Sequence, residues 1–217
     1  MFKIIKKEPL NPSMTRMVIE APFVARKAMP GQFIILRVNE TGERIPLTIA
    51  DYDREAGTVT IIYQKVGKST LLLDEQEAGG YLMDFIGPLG KASELEGYKK
   101  AAVIGGGAGC AIAYPQAKAL HAMGTKVDMI AGFRDKDLII LENEMREASD
   151  RLIVMTDDGS NGNKGFVTAA LQKNIDEGAD YDLVIAIGPI PMMKAVSNLT
   201  KPYGIKTLSL IHISEPT

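Results

Sequence analysis

The 217 residues carry 25 Lys and Arg against 27 Asp and Glu, a formal net charge of −2, with 46% hydrophobic and 24% charged side chains. That length can bury a full hydrophobic core, in one large domain or two small ones, and the balanced charge gives no electrostatic reason to expect nucleic acid or an anionic membrane as a partner. The single cysteine, Cys110, excludes an intrachain disulfide framework and any metal or iron–sulfur site held by cysteines of this chain alone.

The first residues, "MFKIIKKEPL", are interrupted by lysines before an apolar signal-peptide core develops. The longest uncharged stretch, 101–117, is broken by a glycine loop and by Pro115, so it does not read as a membrane span. A cytoplasmic protein is expected.

Along residues 1–97 the chain offers six short β-rich segments: "FKIIKKE", "TRMVIEA", "GQFIILRV", "IPLTIADY", "GTVTIIYQ" and "YLMDFIG". Pro, Gly, Asn and Asp separate them, which predicts a six-stranded antiparallel barrel. One helix-like insert, "KSTLLLDEQEAGG", stands between the fifth and sixth. Residues 98–209 change character. Strand candidates "AAVI", "KVDMIAG", "RLIVMTD", "DLVIAIG" and "IKTLSL" alternate with helix candidates starting near Cys110, Asp137, Gly165 and Pro191. Alternation of this kind predicts βαβ units and a parallel sheet. The domain boundary is expected within "SELEGYKK".

"VIGGGAGCAIAY" supplies a strand, a glycine turn and a helix start in that order. In that context missing side chains let the backbone approach a phosphate, and unpaired N–H groups at the helix start face an anion. Cys110 stands where a dinucleotide fingerprint has its third glycine, and no carboxylate ends the next strand. Gly106, Gly107, Ala108 and Gly109 therefore read either as a nucleotide cradle or as a tight structural turn. Ligands of open α/β sheets lie outside the carboxyl ends of the strands. Three more such ends carry candidates: Arg134; Asp157, Asp158 and Gly159; and Gly188 with Pro189. Singly, these read as surface or turn residues; together they line one edge. Met192 and Met193 read as core, Cys110 as a small packing residue, and nothing nominates His121 as a base.

"VGKST" at 66–70 is not a P-loop, because the position of the required first glycine is Ile62. Ser69 and Thr70 can still cap a helix there. Taken with "GERIPLTIAD", "GPLG" and the α/β half, the chain resembles the ferredoxin–NADP reductase superfamily. Its closest likeness is to the small FAD and iron–sulfur subunits of NADH-dependent ferredoxin–NADP oxidoreductases, carried also by "GFRDKDLI", "DDGSNGNKGFVT" and "AIGPIPMMKAV" over roughly residues 1–208.

The resemblance implies an FAD-binding barrel followed by an NAD(P)-binding domain, and hydride exchange between NAD(H), rather than NADP(H), and FAD. It implies that Thr48 offers its hydroxyl near flavin N5, as the one catalytic side chain. Pro46 and Leu47 would lay backbone along the cofactor, and Arg44 would neutralise its pyrophosphate. Ile62, Tyr63 and Gln64 would line the flavin or ribityl chain, and Gly67, Ser69 and Thr70 would contact the pyrophosphate. Gly106 to Gly109 would face the nicotinamide nucleotide, with Arg134, Asp157 and Asp158 toward its adenosine. Two positions depart from the wider superfamily: Ile45 stands where arginine is usual, leaving Arg44 one place early, and Ile187 stands where many members have cysteine.

Chains of this type continue into a cysteine-rich segment that holds a two-iron cluster; this one ends "LIHISEPT". That ending resembles translated adapter sequence, so residues 210–217, His212 included, are expected to be a non-native tail on a truncated gene. Implied partners are a larger flavin and iron–sulfur subunit and, through it, ferredoxin. The alternatives are the electron-transfer subunit of an NAD-dependent dihydroorotate dehydrogenase and a nucleotide-binding regulatory module without catalysis.

Overall fold

The computed structural model describes residues 1–210. Apart from Leu210, the expected foreign tail lies outside the described residues. The chain divides into two compact units, the first Met1–Ser93 and the second starting at Glu94.

The first unit is an antiparallel sheet of seven strands. They are β1 (Phe2–Asn11), β2 (Met14–Glu20), β3 (Phe33–Arg37), β4 (Ile45–Asp53), β5 (Thr58–Gln64), β6 (Tyr81–Leu82) and β7 (Asp84–Leu89), ordered β6-β1-β2-β5-β4-β3-β7. The sheet curls into a near-closed barrel because its two edge strands are consecutive in the chain. β6 pairs with β1, β7 pairs with β3, and between them the Met83 amide bonds to the carbonyls of Arg37 and Val38. This corrects the expected count of six: "YLMDFIG" changes partner at Met83 and so forms two strands. Alternate residues turn inward, and Met17, Ile19, Ile34, Leu36, Ile49 and Ile61 are fully buried in the barrel core. Two short helices accompany the barrel, α1 (Pro22–Lys27) and α2 (Lys68–Asp74). α1 was not anticipated; Pro22 opens it in the first turn, where the missing N–H costs nothing.

The second unit is a parallel sheet of β8 (Lys100–Gly106), β9 (Lys126–Phe133), β10 (Arg151–Thr156), β11 (Leu183–Ile187) and β12 (Lys206–Leu210), ordered β10-β9-β8-β11-β12. Its helices are α3 (Cys110–Ala122), α4 (Glu142–Glu147), α5 (Val167–Asp176) and α6 (Ile190–Thr200). β8 and β11 are buried almost throughout, as sheets covered on both faces require. The helix expected near Asp137 is only a 3-10 turn, Lys136–Leu138, capped by the Asp135 carboxylate. Ile139 leaves it in extended backbone, and α4 begins later. The strand order reverses direction between β8 and β11, so the crevice beside their carboxyl ends is the sheet's topological switch point.

Candidate functional site

The glycine turn lies at that switch point. β8 ends at Gly106, a 3-10 turn covers Gly107–Gly109, and α3 starts at Cys110 with no side-chain cap. The Cys110 amide is taken by the carbonyls of Gly107 and Ala108, so the orphan N–H groups left for solvent or a ligand belong to the turn ahead of the helix. Each glycine has its own reason to be glycine. A Cβ on Gly109 would stand 2.4 Å from the Ile187 carbonyl oxygen, and one on Gly106 would stand 2.5 Å from Met192 Sδ and 3.1 Å from Pro189 Cδ. Gly107 has a φ of +53° and open space where its side chain would be. The structure thus gathers Gly106, Gly107, Ala108, Gly109, Gly188 and Pro189. Gly106 and Gly109 pack the chain's own backbone and side chains, as a tight structural turn requires, while Gly107 and Ala108 are half-buried.

Next along the edge, the Asp157 and Asp158 amides bond to the carbonyls of Phe133 and Arg134 at 3.0 and 3.3 Å, tying the loop after β10 to the end of β9. Arg134, Asp157 and Asp158 are all exposed there. The two carboxylates differ. Asp158 accepts from Ser160, whose hydroxyl and amide hold its carboxyl below the usual range, and Gly159 turns the loop at a φ of +80°. Asp157 and the Arg134 guanidinium have no side-chain partner among the described residues.

On the barrel, inward Ile34, Leu36 and Leu47 leave Phe33, Ile35, Pro46 and Thr48 on the outer face. Across that face Thr48 pairs with Phe33, and Ile35 pairs with Pro46 and Ile86. An outer face of an antiparallel sheet is ordinarily polar; this one is apolar with a single hydroxyl. The Thr48 hydroxyl has no partner among the described residues. At the end of the face Asp84 accepts from Arg37 at 2.8 Å and Arg44 at 3.0 Å, and the bond from Arg37 leads in holding its carboxyl below the usual range. Two guanidiniums thus share the one Asp84 carboxylate. Ser69 donates to Glu43 at 3.2 Å, which brings the start of α2 beside the residue preceding Arg44.

Several expected ligand residues are turned to other work. Tyr63 points into the barrel, 2% exposed, and its hydroxyl donates to Asp74; Ile62 and Gln64 lie on the opposite face. Leu47 is likewise inward, so only its backbone and that of Tyr63 remain for a ligand. The Thr70 hydroxyl accepts from the amides of Val66 and Gly67 and closes the first turn of α2, while exposed Gly67 has open space around it. Phe33, Ile35 and Arg37 were missed as site residues; the signal was "GQFIILRV", apolar at successive positions where a half-buried strand alternates.

Cys110 is fully buried against Gly105, and burial pushes its thiol up to about 12. It packs and has no thiolate to offer. Gln116, in the middle of α3, is fully buried, and neither amide atom has a hydrogen-bond partner among the described residues.

A Thermotoga maritima protein described as a dihydroorotate dehydrogenase B (NAD(+)) electron transfer subunit homolog is 41% identical over 203 residues, covering 94% of this chain and 71% of its own. The chain belongs to the ferredoxin–NADP reductase superfamily. A structure of an NADH-dependent reduced ferredoxin–NADP oxidoreductase, solved in the context of flavin-based electron bifurcation, superposes with a TM-score of 0.89 at 38% identity, over 96% of this chain and 75% of that one. A Clostridium beijerinckii protein described only as uncharacterized, in the adh 3′ region, is 49% identical over 215 residues, covering 95% of this chain and 73% of its own. Residues 103–198 match the oxidoreductase NAD-binding domain, so the glycine turn, Arg134 and the Asp157–Asp158 loop of this superfamily member all lie inside that domain. No helix among the described residues is long and apolar enough to cross a membrane. The described residues hold no cluster of three or more His, Cys, Asp or Glu side chains placed to bind a metal ion.

Proposed function

We propose that this chain is a flavoprotein electron-transfer subunit that exchanges hydride between NAD(H) and FAD and passes electrons to a larger flavin and iron–sulfur partner that serves ferredoxin. The observation that carries the reading is the outer barrel face of Phe33, Ile35, Pro46 and Ile86, whose one polar group is the unpartnered Thr48 hydroxyl. These residues fit a flat aromatic ring system. When bound, FAD supplies the redox chemistry, taking a hydride as a pair of electrons and releasing them singly.

The chain's own residues bind, orient and exclude water. Thr48 holds a hydroxyl toward the polar edge of the ring, and the apolar side chains around it keep water from that surface. Arg44, with Arg37 beside it, balances pyrophosphate charge next to Gly67 and Ser69. In the second unit the N–H groups of Gly107 to Gly109 meet dinucleotide phosphate. The uncommitted Asp157 carboxylate accepts from a ribose diol and repels a 2′-phosphate, which favours NAD(H) over NADP(H). A two-iron cluster does not fit this chain, whose one cysteine is buried.

The 41% identity to a dihydroorotate dehydrogenase B homolog favours a second reading, in which the partner oxidises dihydroorotate. The test is to co-express the chain with each class of partner, identify the bound flavin, and assay both couplings. Purification with FAD and ferredoxin-linked activity supports the first reading; dihydroorotate-driven flavin reduction supports the second. A chain that takes up no flavin in either complex would be a regulatory nucleotide-binding module.

A further inference from the structure

The loop at 157–165 is held from its middle. The Asn161 carboxamide reaches back to the last residues of β10: its Nδ2 donates to the Val154 carbonyl at 2.9 Å, and its Oδ1 accepts from the Thr156 hydroxyl at 2.8 Å. The same Oδ1 accepts from the Asn163 amide at 3.0 Å. Thr156 is fully buried and Val154 nearly so, so the carboxamide is anchored on groups that cannot find water. The backbone follows it: Thr156 N donates to Asn163 O and Gly165 N to Thr156 O, at 2.9 and 3.0 Å. Left-handed glycines at 159, 162 and 165 let the loop fold back this tightly. On its outgoing limb stand Asp157 and Asp158, bonded through their amides to the end of β9.

We infer that Asn161 is the positioning residue of this edge: bound to Val154 and Thr156, it fixes Asp157 in place, and so sets both the affinity for NAD(H) and the discrimination against NADP(H). The inference rests on the reading that Asp157 meets the ribose of the dinucleotide. Asn161 itself touches no ligand. It acts by removing the freedom that the carboxylate would otherwise lose on binding, which is the general route from a rigid loop to affinity.

The test uses the flavin-loaded full chain in anaerobic stopped-flow, where the concentration dependence of flavin reduction separates dinucleotide Kd from the limiting rate. N161A is expected to raise the Kd for NADH by about tenfold, the effect of losing a well-anchored hydrogen-bonded group, with the limiting rate within about twofold and flavin content unchanged. Its preference for NADH over NADPH should fall. T156V, which deletes the hydroxyl given to Asn161, should move Kd the same way, and T156S should restore it. A purely structural role would lower the melting temperature of N161A and T156V while leaving Kd and coenzyme preference unchanged, and that result would overturn the inference. D157N tells the two failures apart. If D157N weakens NADH binding and N161A does not, the positioning role alone falls; if neither does, the reading of the edge falls with it.

Discussion

Gly109 and Ile187 approach so closely that a methyl group on the glycine would stand 2.4 Å from the Ile187 carbonyl oxygen. The start of α3 and the end of β11 are therefore locked together at the switch point. Replacing Gly109 with Ala forces that backbone contact apart. G109A is expected to lower stability by about 1–3 kcal/mol, the usual range for overpacking, and to weaken dinucleotide binding. G107A meets open space and only a left-handed backbone, so it should cost about 1–2 kcal/mol. Urea unfolding of the two variants, beside NADH titrations, checks the order.

Gln116 leads to the opposite sign. Both its amide atoms are buried without partners among the described residues, and each such group costs about 1–3 kcal/mol relative to one left in water. Q116M fills nearly the same volume without polar atoms. It is expected to raise the urea midpoint, whereas a clear fall would show that the amide has a partner in solution.

The barrel holds α2 through a carboxylate that depends on its charge. Asp74 accepts from Thr15 at 2.7 Å and Tyr63 at 3.1 Å, and Lys65 stands 3.6 Å away. Burial raises the Asp74 pKa, but the bonds from Thr15 and Tyr63 and the charges of Lys65 and Lys7 outweigh it, so the net shift is downward. A lowered folded-state pKa means the stabilisation is present above the unfolded value and is lost as pH falls through the folded one. D74N should therefore unfold more easily than the parent near neutral pH, and the difference should shrink below about pH 4. Thermal unfolding across that range measures it.

Thr48 is the one polar atom on an apolar face. T48V keeps the shape and removes the hydroxyl, so FAD should still bind, while flavin reduction slows by about tenfold, as expected for one lost hydrogen bond to a reacting group. A variant that loses its flavin altogether would instead place Thr48 among the binding groups.

The parallel half was legible because each strand and helix announces its own period and the glycine turn sits between them. The barrel half was harder. In "TVTIIYQ" the residues Ile61, Ile62 and Tyr63 are all apolar, so no alternation tells which face holds Tyr63; the structure turns it inward because its hydroxyl finds Asp74. "YLMDFIG" contains no turn residue at Met83, where the strand changes partner, since that break is made by hydrogen bonds to Arg37 and Val38. Nothing in the sequence marks Asn161, because its partners, Val154 and Thr156, become neighbours only when the loop folds back. Phe33 and Ile35 could have been found: an outer face that stays apolar is a pattern, and it was visible.

With a flavin face and an NAD(H) edge both in working order, one chain is able to reduce its own flavin with NADH. The most direct measurement is the visible spectrum of the FAD-loaded chain during anaerobic titration with NADH and, separately, NADPH. Stoichiometric NADH should bleach the flavin bands, and NADPH at the same concentration should bleach them less or not at all. Flavin that stays oxidised under excess NADH, or a chain that takes up no FAD, would contradict it.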